Sequence, residues 1–397
     1  MMEKATRQHT KEHNRNLVLK TIFEHHQISR AEIARQTRLT RTTVSDIVTD
    51  LLAAELVSEV GVGSSSVGKS PILLSLSEDS RYLVGLNLAY NRFSGAIVNL
   101  RGKIRKIVSL PVSVTDHEKS LAVVYKILDQ LVNAAYRPII GIGIGTPGLV
   151  DTRDGVVVSA VNLDWENFPL ARLLEERYHL PVYILNDSQA AAIGEHTFGS
   201  GHKDDNNLIV INIQHGIGSG IIINGRLFQG DGGSAGEIGH MSIVPDGGLR
   251  CRCGNYGCLE TVASPQAIIN RYKMLVSQSD DPLYSKLPGE LDLELIERQF
   301  SSGDLLARKV ILDAGRYLGL AISNLVGLLN IHKIVIVGIM SPFGEPWLEA
   351  ICESVLRSSL SKPAHDTVIE IGQLDGNGII LGASAIMANN YSLLLNL

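Results

Sequence analysis

The run Ile139-Ile140-Gly141-Ile142-Gly143-Ile144, ending in Gly145-Thr146-Pro147-Gly148, decides the fold class. An apolar run of six residues stopped by glycine and proline reads as a strand that ends in a turn. Working outward, Tyr82 to Leu88, Phe93 to Asn99 and Ile104 to Leu110 also read as strands, and Glu118 to Tyr136 as a helix. Further on, Val182 to Leu185, Leu208 to Ile213, Gly220 to Ile223 and Ile334 to Val337 continue the alternation. Strands interleaved with helices predict an α/β fold. Sites in such sheets lie at the carboxyl ends of strands, where this sequence gathers polar residues: Asn186-Asp187, the segment Gln214 to Gly220, and Gly338.

The 397 residues exceed what one hydrophobic core usually serves, so two or three domains are expected. A hydrophobic fraction of 45% with 19% charged residues excludes global disorder. The start, MMEKATRQHTKEHNRN, has no apolar stretch of signal-peptide type, and no later run reaches the roughly 18 apolar residues of a membrane span. A cytoplasmic protein without membrane insertion is expected. Three of the four cysteines, Cys251, Cys253 and Cys258, share one short segment, which in a reducing compartment reads as a metal site before a disulfide set.

The net charge of -5 speaks against a protein that coats nucleic acid, yet it is unevenly spread. Residues 1–50 hold nine Lys and Arg against six Asp and Glu, a net of +3, leaving -8 for the remainder. The basic segment contains three helical patterns, Asn16 to His25, Ser29 to Thr37 and Thr40 to Ala54. Ser29 and Glu32 have capping-box spacing, and Thr40 can cap the third helix. With only Arg38-Leu39 between the second and third, the pattern is that of a helix-turn-helix, although any small three-helix bundle shares it. Arg41, Thr42, Thr43, Ser45 and Asp46 fall at the start of the third helix, where a recognition helix meets base edges and phosphates, and Arg30, which opens the second, is a further candidate DNA contact. Strand-like Leu56 to Val60 and Ile72 to Leu76 flank GVGSSSVGKS, which reads as a wing with Lys69 at its tip.

Three features carry chemistry. His240 with Cys251, Cys253 and Cys258 offers four borderline-soft ligands that suit a structural, tetrahedral zinc. Asn162, Asn186, Asp187, Glu237, His240 and Glu260 are polar groups, mostly amides and carboxylates, of the kind that grip a ring of sugar hydroxyls, although taken singly Asp187 after a strand is more often a turn or cap residue and Glu237 could serve only local hydrogen bonding. Gly216-Ile217-Gly218-Ser219-Gly220 could cradle phosphate, or form a tight hairpin running into the Asn224-Gly225 turn.

Together these residues resemble the ROK family (repressor, ORF, kinase) over essentially the whole chain. GEIGH at Gly236 to His240 and CRCGNYGCLE at Cys251 to Glu260 are similar to the family's signature and zinc loop. GIGIGTPG at Gly141 to Gly148, VNLDWENFPL at Val161 to Leu170 and LPVYILNDSQAAAIGE at Leu180 to Glu195 support them. The resemblance implies a winged helix-turn-helix over 1–78 and a two-lobed, actin-like body of the sugar kinase/ribonuclease H-like type. Its small lobe would span 79–195, completed by a C-terminal helix at 378–397, and its large lobe 196–377 with the zinc loop. It also implies sugar contacts at Asn162, Asn186, Asp187, Glu237, His240 and Glu260, with Asp187 at the kinases' general-base position.

The nucleotide side departs from the pattern. Where family kinases carry an acidic, glycine-rich phosphate loop, this chain reads Asn87-Leu88-Ala89-Tyr90-Asn91; Gln214-His215 replaces Gly-Thr, and Gly338-Ile339-Met340 replaces a glycine pair. Phosphoryl transfer depends on charge neutralisation and close backbone approach, so catalysis is not expected. The expectation is a sugar-responsive repressor of a carbohydrate uptake or catabolism operon, binding a palindromic operator as a homodimer or homotetramer. An ATP-dependent sugar kinase, and a repressor sequestered by a transporter protein, are the alternatives.

Overall fold

The computed structural model describes residues 7–63, 70–112, 117–199, 206–281, 284, 287, 291–374, 376–388 and 394. The chain opens with α1 (Arg7–Glu24), a two-residue strand β1 (Ile28–Ser29), α2 (Arg30–Thr37) and α3 (Arg41–Ala53). Strands β2 (Val57–Val62) and β3 (Ile72–Leu76) follow, giving a small antiparallel sheet in the order β1-β3-β2. Ser29 Oγ accepts from the Glu32 N–H at 3.2 Å, as the capping spacing predicts. The reciprocal arm differs: Glu32 accepts from Arg35 and Gln36, because Ser29 already lies in the β1–β3 pairing. Thr40 Oγ1 accepts from the Thr43 N–H at 3.1 Å and starts α3. Between the helices Arg38 adopts a left-handed backbone, φ 58°, and buried Ile33, Ala34, Val44 and Ile47 close the crossing. The expected wing is formed by β2 and β3; Lys69, at its tip, lies outside the described residues.

The body begins with β4 (Tyr82–Leu88), β5 (Arg92–Asn99), β6 (Ile104–Pro111), α4 (His117–Val132) and β7 (Ile139–Thr146). Helix α4 stops four residues before the expected Tyr136, since the chain must leave helical geometry ahead of Pro138. An antiparallel ribbon of β8 (Leu149–Asp151), β9 (Val156–Ala160) and β10 (Trp165–Phe168) leads to α5 (Leu170–Tyr178), β11 (Val182–Asn186) and α6 (Asp187–Phe198). The first large sheet has the order β11-β7-β4-β5-β6, with β11, β7 and β4 parallel.

The second large sheet, in the order β14-β13-β12-β15-β16, is built from β12 (Leu208–Ile213), β13 (Ile217–Ile223) and β14 (Arg226–Phe228) before a helical excursion. That excursion is α7 (Glu260–Ala263), α8 (Pro265–Ser277), α9 (Leu293–Ser301) and α10 (Leu305–Leu329). Then come β15 (Lys333–Gly338), α11 (Gly344–Ser358), α12 (Ser361–Asp366), β16 (Val368–Ile371) and α13 (Gly378–Ala388). Fully buried Tyr272 and Trp347 anchor the core between this sheet and its helices.

Helices α6 and α13 pack against each other between the two sheets, α13 against β4 and β7, α6 against β12 and β13. Glycines make the approach possible. A Cβ at Gly85 or Gly143 would overlap the carbonyl oxygens of Ile380 and Ala383 on α13, and one at Gly382 that of Ala190 on α6. Gly218 and Gly220 stand under Ser188 and Ala192 of α6, so β13 runs from Ile217, three residues earlier than expected. The glycine-rich segment is thus an antiparallel hairpin on β12, closed by Gln214 to Gly216.

The head docks on the edge of the first sheet formed by the amino ends of β4 and β7 and the carboxyl end of β5. Leu83, Leu100 and Ile140 share one buried cluster with Val18, Leu19 and Ile22 of α1, and Leu394 joins them. Two glycine substitutions should therefore act in opposite directions. Gly382→Ala forces a methyl into the α6 backbone and should cost about 3 kcal/mol in urea unfolding. Gly327→Ala, in α10 with open space around it, should be neutral or stabilise by up to about 1 kcal/mol through helix propensity.

Candidate functional site

The carboxyl ends of β4, β11 and β12, with the loops that follow β7, β9 and β14, surround one cleft of about 710 Å³. Asn162, Asn186, Asp187, Glu237, His240 and Glu260 all line it. Asn162 sits in a short 3₁₀ turn after β9. Asn186 caps α6: its Oδ1 accepts from the N–H groups of Ser188 and Gln189, and its Nδ2 donates to Gly148 O at 2.9 Å. That leaves one amide N–H for a ligand.

Asp187 is the first residue of α6 and accepts from the Ser188 N–H at 2.7 Å and from Ser188 Oγ at 3.1 Å. Its removal from water raises the carboxyl to about 6; the Ser188 hydrogen bonds oppose this, and Glu237 adds repulsion. Desolvation likewise lifts Glu237 above the ordinary carboxylate range, with His240 opposing it and Glu260 adding to it. Glu260 is held from two sides, by the Ile217 N–H at 3.2 Å and by Arg252, whose Nε lies 2.9 Å from Oε1. An uncharged but polyhydroxylated ring suits such a wall, which offers carboxylate acceptors, amide donors and a fixed guanidinium.

His240, Cys251, Cys253 and Cys258 converge at the cleft's edge, their ligand atoms within 4.8 Å of one another. His240 Nδ1 is 3.6 Å from Cys251 Sγ, so this nitrogen faces the thiols, while the residue also lines the cleft. Three thiolates and one imidazole fit tetrahedral zinc with no position left for water, which makes the group structural. The loop it would hold contains little regular structure, and Arg252 and Glu260 flank its ligands. Zinc would therefore fix the wall of the cleft rather than act on a ligand.

Next to Arg252, where the loops after β4 and β12 meet, Tyr90 and His215 stack with ring centroids 4.1 Å apart and an interplanar angle of 7°. The pair links the two sheets across the mouth of the cleft. Asn87 and Ala89 line the cleft beneath it. Gly338, φ 109°, presses on Ile213 O, and Met340 is buried.

The head presents a separate face. Arg41, Thr42 and Asp46 are exposed along α3, whereas Ser45 is half-buried and Thr43 Oγ1 is within 2.8 Å of Thr40 Oγ1, part of the cap. Arg30 donates to Glu59 on β2 at 3.0 Å, bracing the wing. Among the described residues no helix is long and apolar enough to cross a membrane.

The model of the family described as "ROK family" matches residues 83–390. The chain belongs to the ROK family. Its ROK body extends from β4 through α13, and relatives carry the likeness into the head. A xylose repressor from Caldicellulosiruptor bescii is 33% identical over 387 residues, 96% of each chain. The crystal structure of a ROK family transcriptional regulator, a homologue of the Escherichia coli MLC protein, matches 98% of both chains with a TM-score of 0.86 and 31% identity. A ROK family glucokinase from Streptomyces griseus, solved with glucose and AMPPNP, matches 77% of this ROK chain but 98% of its own length, with a TM-score of 0.69 and 28% identity. ROK repressors and ROK kinases thus share the actin-like body, and the full-length match is to a regulator.

Arg252 and the Tyr90–His215 stack are absent from the sequence-derived set. Arg252 could have been suspected, because it stands between two metal-ligand cysteines and eight residues before Glu260. The stack could not, because 125 positions separate its partners. The zinc loop is directly testable. Cys253 is exposed, so Cys253→Ser perturbs packing little. It should nevertheless abolish most of the zinc measured by elemental analysis and lower the melting temperature, while Cys352→Ser leaves the zinc unchanged.

Proposed function

We propose that the protein is a sugar-responsive DNA-binding repressor, with α3 and the wing reading operator DNA and the cleft taking a monosaccharide. The observation that carries this reading is the likeness to a regulator over 98% of both chains, whereas the glucokinase, matched over 98% of its own length, covers only 77% of this chain. In this reading residues 1–78 are the reader, and 79–195 with α13 and 196–377 are the two lobes of the sensor. Asn162, Asn186, Asp187, Glu237, His240 and Glu260 hold the sugar hydroxyls. Arg41, Thr42, Thr43, Ser45, Asp46 and Lys69 form the DNA side, with Arg30 setting the wing through Glu59. A homodimer or homotetramer places paired heads on a palindromic operator.

The relative named a xylose repressor supports a neutral monosaccharide of that type as effector. Sugar releases the operator by binding more tightly to the body arrangement in which the heads are misplaced. Loss of kinase chemistry is part of the same reading. Tyr90 and His215 occupy the junction of the two would-be phosphate loops, and Asn87 supplies no carboxylate to attract a magnesium–phosphate assembly.

The deciding experiment combines a monosaccharide panel with an operator duplex selected from a random-sequence pool. Arg41→Ala should weaken operator binding about tenfold and leave sugar affinity unchanged. Asp187→Asn should do the reverse. Asp187-dependent phosphorylation of any sugar by ATP would overturn the proposal in favour of a kinase. The raised Asp187 carboxyl adds a pH test. Sugar hydroxyls donate to its ionised form, so affinity should be full at pH 7 and above and fall as pH drops through about 6. In Asp187→Asn the fall should be shallower, because the contribution of Asp187 is gone while Glu237 still titrates.

A further inference from the structure

The head is attached to the body by more than the linker and the apolar cluster. Arg101, in the turn between β5 and β6, donates from one nitrogen to Phe23 O and from the other to His25 O at 2.9 Å, at the carboxyl end of α1. Its guanidinium carbon lies 5.5 Å from the centroid of the Phe23 ring. Arg81, just ahead of β4, donates to Ala54 O at 3.0 Å, and Ala54 caps the carboxyl end of α3. Two cations of the body thus sit on the carboxyl ends of two head helices, where unpaired carbonyls and the helix dipole both favour positive charge. One of those helices carries the DNA-reading face.

The two arginines are also tied to each other. Buried Asn99 accepts through Oδ1 from the N–H groups of Arg101 and Lys103 and donates through Nδ2 to Asp79 at 3.1 Å. Asp79 in turn accepts two hydrogen bonds from Arg105, at 2.9 Å and 2.5 Å. This bracket makes the Asp79-to-Arg81 segment and the β5–β6 turn one rigid piece. That piece leads directly into β4, whose far end, Asn87, lines the cleft.

We infer that Arg81 and Arg101 are positioning residues that fix the angle of α3 on the body, transmitting movement of the first sheet at the cleft to the DNA-reading face. The arginine fork suits the task, because Arg101 spans two carbonyls that one ammonium group would not hold in the same geometry. Neither residue lies in the cleft or on the exposed face of α3, so neither contacts sugar or bases.

The inference rests on the sugar-responsive reading, and its test separates the two. Operator affinity is measured with and without saturating sugar for wild type and for the double variant Arg81→Ala/Arg101→Ala, together with sugar affinity by calorimetry. Sugar affinity of the free variant should stay within about threefold of wild type. The ratio of operator affinities without and with sugar should fall from the 5- to 150-fold usual for allosteric coupling to under about threefold. An unchanged ratio in a folded variant overturns the inference. Should the double variant fail to fold, Arg101→Lys serves in its place: it keeps the charge, loses the fork, and should lower the ratio in part, a full wild-type ratio counting against the inference. If wild type answers no sugar, the functional reading fails on its own. The clamp is then read by hydrogen exchange without sugar, where faster exchange of the last turns of α1 and α3 in the variant supports it and unchanged exchange refutes it.

Discussion

Helices α6 and α13 lie against each other, and against the sheets on either side, with glycine rather than side chains at the points of closest approach. Gly85 and Gly143 admit the backbone of α13, Gly218 and Gly220 admit α6, and Gly194 and Gly382 let the two helices meet. Backbone carbonyls fill the contacts at Gly85, Gly143, Gly194 and Gly382, and the short Ser188 and Ala192 side chains those at Gly218 and Gly220, so the centre of the body has little freedom to repack. Everything functional is placed relative to this centre. The start of α6 carries Asn186 and Asp187 into the cleft, and the two sheets bring their strand ends to it from either side.

The same strands give the molecule two working ends. The carboxyl ends of β4 and β11 face the cleft, and the amino ends of β4 and β7 carry the head through Leu83 and Ile140. A strand packed on both faces is a stiff rod, so a small change of lobe angle at one end is delivered to the other. The zinc loop serves the cleft end. It would freeze an irregular segment so that Arg252 and Glu260 stand at a fixed distance, with Glu260 also pinned by the backbone of Ile217. At the mouth of the cleft an aromatic stack, Tyr90 on His215, spans the gap between the loops that follow β4 and β12.

Much of this was legible in the sequence, for reasons that differ by element. The apolar run Ile139 to Ile144 fixed a buried strand, and the three clustered cysteines with His240 fixed a metal loop, because both signals are local. The Ser29 and Thr40 caps were equally readable. The Glu32 return bond was not, because the β1–β3 pairing that claims Ser29 comes from Leu73, more than forty residues away. The glycines from 216 to 220 left hairpin and phosphate cradle undecided until α6 appeared above Gly218 and Gly220. Arg81 and Arg101 look like ordinary surface charges in sequence, since their partners are carbonyls that any residue supplies.

The central claim is that one molecule links sugar in the cleft to DNA under α3 through a shared equilibrium. Linkage makes that claim reciprocal: sugar must bind the operator-saturated protein more weakly than the free protein, by the same factor by which it weakens operator binding. Calorimetric titration of the effector sugar into both forms measures that factor directly. The account predicts matching factors well above one. Equal sugar affinity with and without operator would contradict it.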